Sequence, residues 1–546
     1  MQKWGALIAM ALSMFIIVID TTIMNVSISA LVQDLGTTVT GVQSAISIYA
    51  LVMAASILIG GKLADIFGKK RIFVIGLVVY AIGTITASFS QSLGVLIVGW
   101  SVLEGIGGAL MIPNIQTILR NQYKGSDLAS SYGTIGAVAA VGAAVGPIVG
   151  GFFTTYLSWR WAFRTEVVVV VIVLFMVRYI AADVLPDRGP RFDFLGAILS
   201  ILGWSSIVLG ILLAQTYGFF LAKKPFDLFG REVAPFGLSI TPILIGLGIL
   251  LILLLFRWED RQESRGLDGL FRPSIFNVPG IISGFASRFT QVGIQAGYLY
   301  ILPLMLQLSF SLTAMQTGIA LLPFSIGVLM ASLGGARLSS RFFANRMIQV
   351  GFVVCSAGLG AIGASIQPTS TVSDLALGGL FGLGCGLIAS QIINLIISSV
   401  QPEQTAETAG LSGTFEQLGN AIGVALIGTI MMATLTTMMT REIDASTVYT
   451  PEQKTLLTAA AEESIQLVSD TEVDAALEEM GATPEQAAEF KEGYHLARTG
   501  AFKAGVSLLV FGALLGLVFA LGLPRRKLVS SDEQTEDALP TPVSAA

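Results

Sequence analysis

Fourteen predominantly apolar runs set the rhythm of the chain, at about 6–31, 43–66, 72–92, 95–119, 128–156, 162–181, 193–214, 236–256, 278–308, 314–338, 347–366, 375–399, 408–437 and 504–523. A helix needs about 20 apolar residues to cross a bilayer, so each run predicts one membrane span, numbered 1 to 14 below. An even count puts both termini on one side. Three stretches break the rhythm. Residues 183–192 hold Asp183, Pro186, Asp187, Arg188, Gly189 and Pro190. Residues 257–273 hold Arg257, Glu259, Asp260, Arg261, Glu263, Arg265 and Arg272. Residues 438–503 are polar and acidic. In that last stretch, Thr450-Pro451-Glu452-Gln453 and Thr483-Pro484-Glu485-Gln486 each read as a helix start, with Thr as cap and Gln returning the bond. They predict short amphipathic helices outside the membrane. The bland alternative is a solvated acidic loop.

Composition supports an integral membrane protein. The chain has 546 residues, 53% hydrophobic and 12% charged, where soluble domains carry about 25% charged residues. Cys355 and Cys385 both lie in apolar runs and form no metal or disulfide framework, and the one histidine, His495, lies in the polar stretch. No nucleophile–base pair, phosphate loop or zinc spacing is present, which argues against an enzyme and against nucleic-acid binding. The first run resembles a signal peptide, but its length, with Asp20 and Asn25 inside it, predicts a retained span. With both termini in the cytoplasm, 20 of the 31 Lys and Arg fall inside, 10 outside, and Arg288 within a span. Cationic short loops stay cytoplasmic, which favours that orientation.

Two echoes suggest duplication. Residues 336–346 echo Gly61 to Arg71, with Ser340 in place of the acid, and Leu128–Thr134 echoes Thr408–Thr414. Both fall at equivalent places in a six-span unit. The predicted domains are a six-span half (1–182), a linker with inserted spans 7 and 8 (183–256), and a cytoplasmic loop (257–273). A second six-span half (274–527) follows, with an outer acidic segment at about 438–503, then a disordered tail (528–546). Paired halves of this kind hold substrate near mid-membrane in many secondary transporters.

Four motifs carry a resemblance. Gly61, Asp65, Gly68, Lys69, Lys70 and Arg71 form a tight cationic turn between spans 2 and 3. Gly142, Gly146, Pro147, Gly150 and Gly151 lie in span 5, where small residues permit close helix packing and proline removes a backbone bond. Asp20, Thr21, Thr22 and Asn25 lie in span 1, and Trp159, Arg160, Trp161 and Phe163 lie at the span 5–6 corner. Up to about residue 525 the chain resembles the major facilitator superfamily, most closely its fourteen-span drug/proton antiporters. The resemblance implies an all-α membrane fold of two six-helix bundles plus two inserted helices. It also implies multidrug efflux driven by a proton gradient, without cofactor or metal, by a monomer in the cell membrane. Asp65 and its cations would then lock the halves together on the cytoplasmic side. The alternative is simple anchoring by the positive-inside effect.

A charge inside a span costs at least about 2.5–3.5 kcal/mol on insertion scales, so such residues normally have a role. Glu104 in span 4 is the leading proton site, with Asp20 contributing. The alternative is structural acids held neutral. Here the chain departs from the resemblance: Ser101 and Glu104 replace an arginine and a glutamine, and Arg164 and Glu166 stand where neutral residues are usual. Arg288 in span 9 is a candidate for the missing cation, or an arginine reaching the interface. Asn25, Gln291, Gln295, Tyr298, Tyr300, Gln307 and Asn394 are candidate cavity-lining residues, or ordinary packing. An acidic, aromatic cavity would favour lipophilic cations. Other readings are export of a native metabolite, lipid or peptide, proton-coupled uptake, or a receptor or enzyme that uses the acidic outer segment.

Overall fold

The computed structural model describes residues 3–183, 191–222, 225–228, 231–233, 237–339, 341–367, 376–401 and 404–525. Within these, thirteen helices are long and apolar enough to cross a membrane. They are span 1 (Gly5–Val26), span 2 (Val39–Phe67), span 3 (Lys69–Ser88), span 4 (Leu93–Gln122), span 5 (Ser130–Leu157), span 7 (Phe194–Tyr217), span 8 (Ile240–Ser264), span 9 (Ile281–Phe310), span 10 (Ala314–Gly335), span 11 (Ala344–Ser365), span 12 (Gly378–Ile397), span 13 (Glu407–Ala445) and span 14 (Pro484–Leu521). Span 6, Arg160–Met176, is 17 residues long and continues through a tighter turn, Val177–Tyr179. A two-stranded hairpin, Phe226–Leu228 with Arg231–Val233, joins spans 7 and 8.

The helices form two six-span bundles, 1–6 and 9–14. Both echoes fall on equivalent places: the turns between spans 2 and 3 and between spans 10 and 11, and the first turns of the helices of spans 5 and 13. Ser340 and the linker positions Pro186, Asp187, Arg188, Gly189 and Pro190 lie outside the described residues, as does the tail after Arg525.

Two seams join the halves. Span 2 packs on span 13, and span 5 packs on span 10. The second seam is close because of glycine: a Cβ on Gly151 would lie 2.6 Å from the Ala314 carbonyl oxygen, well inside van der Waals contact. Span 7 braces the first seam, and span 8 packs behind span 7. Val208, Ile211 and Leu212 of span 7 join Ala50 and Leu51 of span 2 and Ala421 and Ala425 of span 13 in one buried cluster.

Polar caps fix this hairpin. Asp193 accepts from the Gly196 N–H at the start of span 7 (2.9 Å) and from Trp258 Nε1 of span 8 (2.8 Å). Buried Glu259 accepts from the Leu270 N–H (3.1 Å). Span 8 therefore stays helical through Arg257, Glu259, Asp260, Arg261 and Glu263, where a loop was expected. The loop proper begins at Arg265.

The segment after span 13 holds two separate helices, Pro451–Ser464 and Asp470–Glu479, each begun by a capping box. The first is the one the Thr450–Gln453 pattern predicts; the second uses Ser469 and Glu472. The Thr483–Gln486 box is also formed, but it starts the 38-residue helix of span 14 rather than a short separate one. The helix is not interrupted there: no second proline precedes the apolar run, and Gly493 and Gly500 stay helical where they pack against Glu442 and Met438 of span 13. The first helix packs on the end of span 13 and the second on the span 14 stalk. The Tyr494 hydroxyl on the stalk holds the link between them, accepting from the Val468 N–H (2.8 Å) and donating to the Gln466 carbonyl (2.8 Å).

Candidate functional site

Asp20, Glu104 and Glu166 come from spans 1, 4 and 6 and meet inside the first bundle. They are 1%, 0% and 3% exposed, and each offers an oxygen within 4.8 Å of the others. Trp100 and Glu104 both lie in a stretch of span 4, Ile97–Glu104, whose turns are wider than those of an α-helix, a feature common at functional sites. Each carboxylate is held by one donor: Trp100 Nε1 to Asp20 (2.9 Å), Thr84 Oγ1 to Glu104 (2.9 Å) and the Tyr80 hydroxyl to Glu166 (2.9 Å). Trp100 is itself fixed by stacking on Tyr49 (centroids 5.3 Å apart) and by the edge of Phe163 (6.3 Å). None of the three acids is in a salt bridge among the described residues. A second oxygen of Glu104 and one of Glu166 have no hydrogen-bond partner among them. The site is therefore a closed acidic pocket without a side-chain counter-charge.

Arg288 does not join it. Its Nη2 pairs with Glu416 of span 13 (2.6 Å) and its Nη1 donates to Gln291 (2.6 Å), which donates in turn to Gln295 (2.8 Å). The partner is in the same half, on a neighbouring helix, and neutralises the guanidinium there, with Nε left without a hydrogen-bond partner among the described residues. Glu416 is visible to the rule that marks Arg288, an ionisable residue within a span.

The lining candidates do not share one cavity with the acids. Tyr298 is buried between Phe324 and Phe381 (centroids 4.9 and 4.7 Å) inside the second bundle. Gln307 donates to the Val26 carbonyl (2.8 Å) across the halves, and Asn25 donates to the Thr21 carbonyl of its own helix (2.7 Å). Asn394 is exposed. A cross-half contact not anticipated from sequence is Gln43 of span 2, which donates to the Val424 carbonyl (3.0 Å) and accepts from the Tyr300 hydroxyl (3.0 Å). Its only sequence signal is an amide within an apolar run.

Gly61, Asp65, Gly68, Lys69 and Lys70 of the loop signature line a cavity of about 1040 Å³ at the face that carries Lys3 and Arg525, together with Asp183, Glu263, Asp268, Arg272 and Glu407. Gly68 has φ +102°, a backbone turn that side chains resist. This turn brings the Lys70 N–H to the Asp183 carboxylate (2.8 Å). Asp65 pairs with Lys69 of its own half (3.9 Å), while Lys62 reaches Asp268 in the segment that leads to the second half (3.9 Å). In span 5, Gly150 backs onto span 1, where a Cβ would lie 2.9 Å from the Ile23 Cα, and Gly151 backs onto span 10. The span 5–6 corner is tied to the first loop: Trp159 Nε1 donates to Asp34 (2.9 Å), which also pairs with Arg160. Arg164 lies over the Trp161 ring (5.2 Å).

Two six-span bundles of membrane-length helices, joined at two seams, have the plan of a multi-pass secondary transporter. The chain belongs to the Major Facilitator Superfamily, whose profile matches residues 10–222 and 194–424. The cephamycin export protein CmcT of Amycolatopsis lactamdurans is 28% identical over 78% of this chain and 84% of its own. A probable actinorhodin transporter of Streptomyces coelicolor is 26% identical over 95% of this chain and 91% of its own. The multidrug efflux pump LfrA of Mycolicibacterium smegmatis is 26% identical over 85% and 86%. Among solved structures, a bacterial homologue of the lysosomal transporter Spinster in an inward-facing, unoccupied conformation aligns with a TM-score of 0.58 at 15% identity, covering 96% of this chain and 98% of that one.

Proposed function

We propose that this protein is a secondary-active exporter that moves small hydrophobic, cationic compounds outward in exchange for protons. The observation that carries the reading is the closed Asp20–Glu104–Glu166 pocket. Three acids without a side-chain counter-charge in an apolar bundle are stable only if protons or another cation neutralise them. Taking up protons on one side and releasing them on the other supplies the driving step, with the proton gradient as sole energy source and no cofactor. Span 1 carries Asp20 and also packs against the glycines of span 5. A change of charge at the pocket is thereby transmitted to the span 5–span 10 seam, where the halves separate. The face with Lys3 and Arg525 is cytoplasmic in this reading, in line with its cationic loops.

A second reading, export of a native metabolite, is favoured by the relatives named for cephamycin and actinorhodin. The test is efflux of a fluorescent lipophilic cation from proteoliposomes under an imposed pH gradient, with Glu104→Gln alongside. Gradient-driven efflux that the variant loses supports the exchange. Gradient-driven efflux unchanged in Glu104→Gln removes Glu104 from it, and no efflux of any cation by the unaltered protein favours the metabolite.

A further inference from the structure

The acidic pocket has the shape of an inner coordination shell. In a hard-cation site, oxygens lie about 2.0–2.6 Å from a shared ion, so neighbouring and opposite oxygens stand roughly 3–5 Å apart. The oxygens offered by Asp20, Glu104 and Glu166 lie within 4.8 Å of one another. Around them, Trp100, Thr84 and Tyr80 each donate to one acid (all at 2.9 Å), as outer groups do when they orient ligating carboxylates. Glu104 Oε1 and Glu166 Oε1 are buried without a hydrogen-bond partner among the described residues. The Tyr49 hydroxyl, on a residue 1% exposed, faces Asp20 and makes no well-formed hydrogen bond among the described residues. It comes from span 2, outside the three helices that carry the acids, and adds a fourth oxygen. No nitrogen or sulfur donor takes part, which selects hard ions over zinc or copper.

We propose that Asp20, Glu104 and Glu166, with the Tyr49 hydroxyl, bind one hard divalent cation inside the first bundle. A divalent ion offsets two of the three carboxylate charges, and the third acid stays protonated. The inference goes beyond the export reading. It concerns binding at equilibrium, so its failure leaves export standing, and failed efflux leaves it standing.

The probe is Mn²⁺, titrated at pH 8 into the purified full-length protein in detergent. Free ion is read by electron paramagnetic resonance, and tryptophan quenching is followed in parallel because Trp100 touches a proposed ligand. The expected result is one saturable Mn²⁺ per chain that quenches part of the tryptophan emission. Glu104→Gln and Glu166→Gln should each weaken binding by about tenfold or more. Tyr49→Phe preserves the ring stacking and every carboxylate, and should weaken binding severalfold. It also covers the case in which an acid variant does not fold. Replacing Glu442, Glu489 and Glu492, which line a small acidic pocket beside Tyr449 and Phe490 outside the bundle, should leave binding unchanged. No saturable Mn²⁺ in the unaltered protein overturns the proposal, as does a site that survives Glu104→Gln and Glu166→Gln together or disappears with the outer glutamates.

Discussion

Tyr80 and Thr84 sit one turn apart on span 3, and each directs its hydroxyl at a different acid. Removing one leaves a buried carboxyl without its donor, which costs about 1–3 kcal/mol. Tyr80→Phe should therefore lower the thermal midpoint of the detergent-solubilised protein, while a hydroxyl change on an exposed bend, Thr447→Val, should not. Gln43 has a different task. It bonds span 13 and Tyr300 at once, so Gln43→Leu removes a polar link across the halves while keeping the volume. The buried Tyr300 hydroxyl then loses its acceptor, so the thermal midpoint should fall and transport should fall several-fold. Adding Tyr300→Phe removes the orphaned hydroxyl and should restore the midpoint while transport stays low; transport that recovers with the midpoint would make Gln43 a purely structural contact. Asp20, Glu104 and Glu166 stand out in the sequence because charge is rare in apolar runs. Their donors do not, since Tyr, Thr and Trp are ordinary membrane residues and only the packing shows which of them turn inward.

At the scale of elements, the span 5 glycines act through what they touch. Gly150 lets span 1 approach, and Gly151 lets span 10 approach. Added volume at Gly151 should force the second seam apart at the face opposite Lys3 and Arg525. In Gly151→Leu, a cysteine introduced at Met315 should react faster with a water-soluble maleimide than in the parent, and equal rates would contradict the seam assignment. The span 14 helix shows where element boundaries defeat local patterns. The Thr483 box is a genuine start signal, yet nothing between it and the apolar run ends the helix, so stalk and span become one rod.

For the whole molecule, spans 7 and 8 break the two-fold likeness of the halves, span 7 bracing the span 2–span 13 seam and span 8 packing behind it. The other seam is the freer one. The helices Pro451–Ser464 and Asp470–Glu479 dock on the end of span 13 and on the span 14 stalk respectively, and contribute no described residue to the acidic pocket. Replacing 446–483 by a short flexible linker should spare gradient-driven efflux within about twofold, and its loss would assign that segment a role in transport. At the opposite face, Lys62 rather than Asp65 reaches toward the second half. Asp268→Lys should thus impair transport, with partial recovery in the Lys62→Asp, Asp268→Lys exchange, and no recovery would reduce the pair to a surface contact.

Spans, their number and the six-plus-two-plus-six plan are local or periodic properties. Hydropathy over about 20 residues suffices for the former, and repeated turns mark the latter, so the sequence alone determined them. The same holds for the three acids as candidates and for the two Thr–Gln caps. Which atoms meet was decided only by the tertiary structure. Asp20, Glu104 and Glu166 lie 62 or more positions apart and converge because spans 1, 4 and 6 pack around a tryptophan. Arg288 is turned the other way by Glu416, 128 positions on. Long-range pairing of charges depends on helix rotation and depth, and neither is written in the pattern of any single span.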